Sequence, residues 1–218
     1  VAPIVIVLLD RNGFGGPARI LAFVGYSWMA ISLWFCTVGL VLDLWNLSVH
    51  AFCHFVPEEP PLIRPSHGIR IIVGLVVLAI LWGRYEAGSL KLVEHSLPTP
   101  HLQPGDDPVR IVQLSDLHLG LIHREKTVRN VMEFVKRAEP DLLVCTGDMV
   151  DASFHHLETA ADIFARYEPS LGKYAVTGNH EFYAGLKNSM TFFERAGFKV
   201  LQGTSVNVNA ELQLVGVD

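Results

Sequence analysis

Apolar positions are distributed unevenly along this chain. Ala18–Leu42 is almost wholly apolar, broken only by small or weakly polar residues such as Ser27, Ser32 and Thr37. That run meets the roughly 20 residues a helix needs to cross a bilayer. A second run, Ile69–Gly83, is shorter and contains Arg70. It spans only if Arg70 snorkels to one interface while Arg84 and Tyr85 anchor the other. Val1–Leu9 is a third apolar stretch, too short to span alone, and reads as the tail of a helix. No basic segment or small-residue cleavage site frames it as a signal peptide. Trp28, Trp34 and Trp45 add amphipathic bulk, Trp45 at an interfacial position. Residues 1–96 are therefore expected to form a helical transmembrane module.

From Leu97 the pattern changes. Leu97-Pro98-Thr99-Pro100 and Gln103–Pro108 are dense in turn formers and predict a linker over 97–108. Beyond it, short β-branched runs alternate with helical periodicity. Strands are predicted over Arg110–Leu114, Leu142–Cys145 and Lys173–Thr177, and helices over Glu125–Arg137, Leu157–Tyr167 and Leu186–Ala196. Val128, Val131, Met132 and Val135 set the helical spacing of the first helix; Gly197 closes the last. Val200–Leu201, Val206–Val208 and Leu212–Val217 read as short strands, the last two a hairpin around Asn209-Ala210-Glu211. The alternation predicts an α/β layered domain with a mixed sheet over 109–218.

Composition agrees with two unlike halves. Half the residues are hydrophobic, mean hydropathy is +0.33, and the excess lies in the N-terminal part. Net charge is −5 with no basic block, so electrostatic binding of nucleic acid has no support. Cys36, Cys53 and Cys145 lack disulfide-framework spacing, and Cys36 and Cys145 read as small buried hydrophobes. His50, Cys53 and His54 form H-x-x-C-H, which lacks a second Cys for haem attachment and reads as an interfacial loop. Arg11, Arg19, Arg84 and Lys91 share one side of the expected module; Arg64 and Arg70 lie on the other, with Glu58 and Glu59. The positive-inside bias then places the second half of the chain in the cytoplasm.

Three polar strings follow three of the predicted strands: Asp116-Leu117-His118, Gly147-Asp148-Met149-Val150-Asp151 and Gly178-Asn179-His180-Glu181. Carboxylate, imidazole and amide groups thus recur at the carboxyl ends of successive strands, where an open α/β sheet builds its sites. Each string alone is an ordinary turn; three in order are a specific signal. At these residues the chain resembles the calcineurin-like metallophosphoesterases, whose hallmark is D-x-H, G-D-x-x-D and G-N-H-[DE] at strand-to-loop junctions. The family completes its metal site with a later His and a G-H-x-H string. After Glu181 this sequence contains no histidine, so it reads as ending within the catalytic domain.

The resemblance implies a hydrolase with two divalent metal ions and a phosphate-ester substrate. Two ions supply a nucleophile and neutralise phosphoryl charge. Asp116 and His118 would bind the first ion, emerging on one face as alternate strand residues do. Asp148 would bridge both ions, and Asn179 would offer a neutral oxygen to the second. His180 would protonate the leaving group or steady the phosphoryl group, with Asp151 orienting its ring. Mixed N and O donors suit Mn, Fe, Zn or Co. Glu181 reads as a helix N-terminal charge or a structural carboxylate; His123, His155 and His156 read as solvated loop residues. A membrane-anchored phosphodiesterase or phosphomonoesterase with a lipid-linked substrate is the leading expectation. A non-catalytic membrane scaffold or sensor carrying a phosphoesterase-like domain is the alternative.

Overall fold

The computed structural model describes residues 2–53, 62–99, 108–151, 157–210 and 212–217. His54, Glu58, Glu59, linker residues 100–107, His155, His156 and Glu211 lie outside them. The apolar runs become α1 (Ala2–Arg11), α2 (Gly15–Cys53) and α3 (Pro65–Ala87). α2 runs for 39 residues, past the expected end at Leu42, because Asp43–Cys53 contains neither Gly nor Pro to stop it. At about 1.5 Å per residue it is about 58 Å long, roughly twice a bilayer's hydrocarbon thickness. His50 and Cys53 therefore lie in its last turn and not in the expected loop.

Burial within the protein covers 0% of the most apolar window of α2 and 6% of that of α3. Cys36, expected to be buried, is exposed on α2, because that helix is apolar all round. Asn46 of α2 pairs in both directions with the backbone just before α3. Its amide nitrogen donates to the Ile63 carbonyl at 3.1 Å, and its Oδ1 accepts the Ile63 N–H at 2.8 Å. The side chain thus imitates a peptide unit for backbone that would otherwise lack partners. The chain divides into two compact units, one of Phe23–Lys91 and one of Pro3–Ala22 with Leu92–Asp218.

In the second unit β1 (Ile111–Leu114), β2 (Leu142–Thr146), β3 (Lys173–Val176) and β4 (Lys199–Val200) form a parallel sheet in sequential order. The crossovers carry α4 (Glu125–Ala138), α5 (Glu158–Ala165), and the pair α6 (Asn179–Ala184) and α7 (Leu186–Ala196). Right-handed crossovers in one direction stack the helices on one face. Val131 and Met132 of α4, Phe164 of α5, and Phe192 and Phe193 of α7 share one core with Leu143, Cys145 and Ala175 of the sheet. Edge-to-face contacts link Phe164 to Phe192 and Phe198 at 6.4 and 5.7 Å. Cys145 is buried as expected, and burial pushes its thiol up to about 12. The opposite face is more open, with Ile111 and Gln113 exposed. β5 (Thr204–Asn207) and β6 (Gln213–Gly216) pair antiparallel as a separate ribbon. Parallel and antiparallel pairing are therefore both present, divided between two sheets.

Lys173 opens β3 with its side chain buried. Its Nζ donates to the carbonyls of Phe164 and Ala196, each at 2.7 Å. These carbonyls end α5 and α7, where the helix dipole is negative. One cation thus caps two helices and fixes them beneath the sheet.

Candidate active site

All three polar strings lie at the carboxyl end of the parallel sheet. Past β1 and β2 the two loops stay paired. Asp116 N–H donates to the Gly147 carbonyl at 3.3 Å, His118 N–H to that of Asp148 at 3.0 Å, and Leu119 N–H to that of Met149 at 2.8 Å. Asp151 N–H returns to Leu119 at 2.7 Å. Yet Asp116, His118 and Asp148 have φ of 55°, 46° and 54°, in the left-handed region that Asp and His tolerate better than most residues. Asp116 Oδ1 and His118 Nε2 do converge, to 3.8 Å. They do so by left-handed turns and not by the strand alternation the sequence suggested. Such strain costs of order 1 kcal/mol or more per residue and is retained where surrounding contacts over-determine it.

Those contacts centre on Glu181. Asn179, His180 and Glu181 form the first turn of α6 rather than the expected loop. The Glu181 side chain is fully buried. Its Oε1 accepts the N–H groups of Met149 and Val150 at 2.7 and 2.9 Å. Its Oε2 accepts those of Asp148 and Gly178 at 3.0 and 2.7 Å. One carboxylate therefore ties the loop after β2 to the loop after β3 through four charge-assisted bonds. The reading of Glu181 as a structural carboxylate named the role but not its partners, since three of the four donors lie some thirty positions away.

Close approach of the two loops needs glycine. A Cβ on Gly178 would lie 2.2 Å from Asp148 Oδ1 and 2.8 Å from the Asp148 nitrogen. Asp148 Oδ1 also accepts the His180 N–H at 3.1 Å. Gly178→Ala is therefore expected to push Asp148 out of register and to weaken any divalent-metal binding at the His118, Asp148 and His180 cluster at least about tenfold. Isothermal titration of the variant against the parent protein checks this; unchanged affinity would show that the loops can part without cost.

Ligand atoms of His118, Asp148 and His180 lie within 4.8 Å of one another. Asp151 Oδ1 joins the two rings: it accepts from His180 Nδ1 at 2.6 Å and from His118 Nδ1 at 3.1 Å. The imidazoles meet edge to face at 4.4 Å. With Nδ1 of each ring turned to Asp151, Nε2 is left to face the site. Asp116 is exposed and accepts a hydrogen bond from the Ser115 hydroxyl. Asn179 is exposed at the first position of α6, and His123 is exposed on its loop. The structure thus draws together His118, Asp148, Asp151 and His180, with Asp116 beside His118. Burial disfavours the charged His118 ring, but the Asp151 hydrogen bond and the charges of Asp151, Asp148 and Asp116 outweigh it. Its pKa therefore lies above the ordinary histidine value.

A family model described as calcineurin-like phosphoesterase matches residues 109–215. The chain is 41% identical over 144 residues to an "uncharacterized metallophosphoesterase" of Aquifex aeolicus (strain VF5), covering 65% of this chain and 55% of that protein. It is 28% identical over 141 residues to a "transmembrane protein with metallophosphoesterase domain" of Danio rerio, covering 63% of this chain and 32% of that one. It is 24% identical over 184 residues to an "uncharacterized metallophosphoesterase" of Helicobacter pylori (strain J99 / ATCC 700824), covering 83% and 49%. The chain thus spans about half the length of two of these relatives and a third of the other. No solved structure matches it.

Proposed function

We propose, from the match of residues 109–215 to the calcineurin-like phosphoesterase family, that the protein is a membrane-anchored, dinuclear metal-dependent phosphoesterase. Its substrate is a phosphodiester or phosphomonoester, in this reading lipid-linked. The observation that carries the reading is the convergence of His118, Asp148 and His180 ligand atoms within 4.8 Å at the sheet's carboxyl end. Of these, His118 and Asp148 join Asp116 and Asn179 in an N and O donor set that fits divalent Mn, Fe, Zn or Co, while His180 stands beside it as the proton donor.

Asp116, His118, Asp148 and Asn179 are the residues that would hold the metal ions. When bound, two such ions supply positive charge opposite the phosphoryl oxygens and acidify a water towards neutral pH. The chain's own part is positioning and proton transfer. Asn179 contributes an oxygen without adding negative charge, which suits an anionic ester. His180, held at Nδ1 by Asp151, presents Nε2 to the leaving oxygen and gives it a proton. Asp148 is set by the His180 N–H and by Glu181 through its own N–H.

Two further features support the anchored reading. α2 and α3 are long and apolar enough to cross a bilayer, and relatives from Danio rerio and Bos taurus are named as transmembrane proteins. The Arg and Lys bias supports a reading in which the catalytic domain faces the cytoplasm. Protection of that domain from protease added to sealed cells tests the orientation; cleavage without lysis would reverse it.

The function is tested by manganese-dependent hydrolysis of an aryl phosphodiester and of a lipid phosphodiester, using the complete reading frame in detergent. Hydrolysis that needs the metal supports the reading. None, in folded and metal-loaded protein, would favour a non-catalytic scaffold or sensor. The raised His118 pKa adds a pH dependence. Protons and metal compete for the same imidazole, and a raised pKa carries that competition to higher pH than for an ordinary histidine. Manganese affinity is therefore expected to fall as pH drops from about 8 to about 6. Titration calorimetry at the two values checks this, and a flat profile would remove His118 from the ligand set.

A further inference from the structure

α6 carries two aromatic side chains directly after the motif: Phe182 is 55% exposed and Tyr183 69%. Tyr183 stands three residues after His180, so the two share a helix face. Their rings meet edge to face, with centroids 5.6 Å apart. A ring present only to buttress His180 would be buried against it, whereas most of Tyr183 faces solvent. Large apolar surface left open beside a polar site marks a place where a ligand group is received.

We propose that Tyr183 is a specificity-determining residue that receives the organic part of the departing alcohol and favours one with apolar or aromatic surface next to its oxygen. The inference rests on the phosphoesterase reading, in which His180 faces the oxygen that leaves phosphorus. Atoms bonded to that oxygen then lie within reach of the Tyr183 ring. The oxygen of a water molecule that has given up a proton forms a new bond to phosphorus as the P–O bond to the alcohol breaks; the alcohol's oxygen takes the His180 proton, and its apolar surface remains against the tyrosine. A compact polar alcohol gains nothing from the same ring.

The test compares two phosphodiesters in the full-length protein with manganese, one releasing nitrophenolate and one releasing a compact fluorinated alkoxide. Tyr183→Ala is expected to lower the aryl-to-fluoroalkyl ratio of kcat/KM about tenfold, while Tyr183→Phe retains it. Because the side chain is exposed, the alanine variant should melt like the parent protein. Equal loss on both esters would make Tyr183 a buttress of His180 and overturn the proposal, as would an unchanged ratio. Loss of the ratio in Tyr183→Phe would overturn it too, because the hydroxyl would then carry the effect. A parent protein that hydrolyses neither ester would sink the phosphoesterase reading, and this inference with it.

Discussion

Glu181→Gln is expected to cost the domain several kcal/mol of stability even without metal. Glutamine keeps the shape of the side chain but replaces one carboxylate oxygen with an NH2 group. Each Glu181 oxygen accepts two backbone N–H groups, so in either amide orientation two donors lose their acceptor and face another donor. An unsatisfied buried donor costs about 1–3 kcal/mol, which puts the loss at about 2–6 kcal/mol. Whole domains are stable by only about 5–15 kcal/mol, so the variant sits close to unfolding. Urea denaturation of the metal-free protein, followed by circular dichroism, reads the effect. A midpoint equivalent to the parent's within about 1 kcal/mol would show that the left-handed loops hold themselves.

Asp148→Asn is expected to do the opposite, leaving the fold intact while abolishing function. Asparagine keeps an Oδ1 to accept the His180 N–H and a backbone N–H for Glu181, so the two loops stay joined. It loses the negative charge that the proposed ion pair needs. Removing a partner behind a metal ligand already costs about 10–100-fold, so removing a carboxylate that would itself hold the metal is expected to lower metal-dependent hydrolysis by more than about a hundredfold. Hydrolysis rates, manganese titration and the denaturation midpoint together separate the two variants. Parental activity in Asp148→Asn would take Asp148 out of the proposed machinery. The contrast between Glu181→Gln and Asp148→Asn divides the site into a residue that builds it and a residue that works in it.

What was legible in the sequence was local. α7 falls on the predicted Leu186–Ala196, because its apolar positions repeat at helical spacing and Gly197, at φ 78°, ends it. α4 is as clear, for the same reason. The three strings were legible because each is a contiguous run of unusual polar residues just beyond a short apolar strand. The two long apolar helices needed only composition and length. The α/β class followed from the change of period between strands and helices.

Tertiary structure decided everything that depends on residues far apart in the chain. Local apolar and polar pattern does not encode which N–H groups from two loops share a carboxylate, so Glu181 read as a helix N-terminal charge or a structural carboxylate with no partners assigned. It does not encode backbone handedness, so Asp116 and His118, just past the predicted strand, read as sharing a face by strand alternation although both adopt left-handed turns. Asp151 read as a partner of His180 alone, because its contact with His118 exists only once the loops after β1 and β2 lie side by side. α6 was missed for a related reason: six residues are too few to show a period, and the turn is held by Glu181 reaching back to Gly178 and across to the neighbouring loop. The sequence therefore determined which chemical groups arrive at the sheet's carboxyl end, through strands and strings readable one segment at a time. Only the folded chain decided how those groups face one another, because hydrogen bonds between separate loops, and not propensity within one, set their geometry.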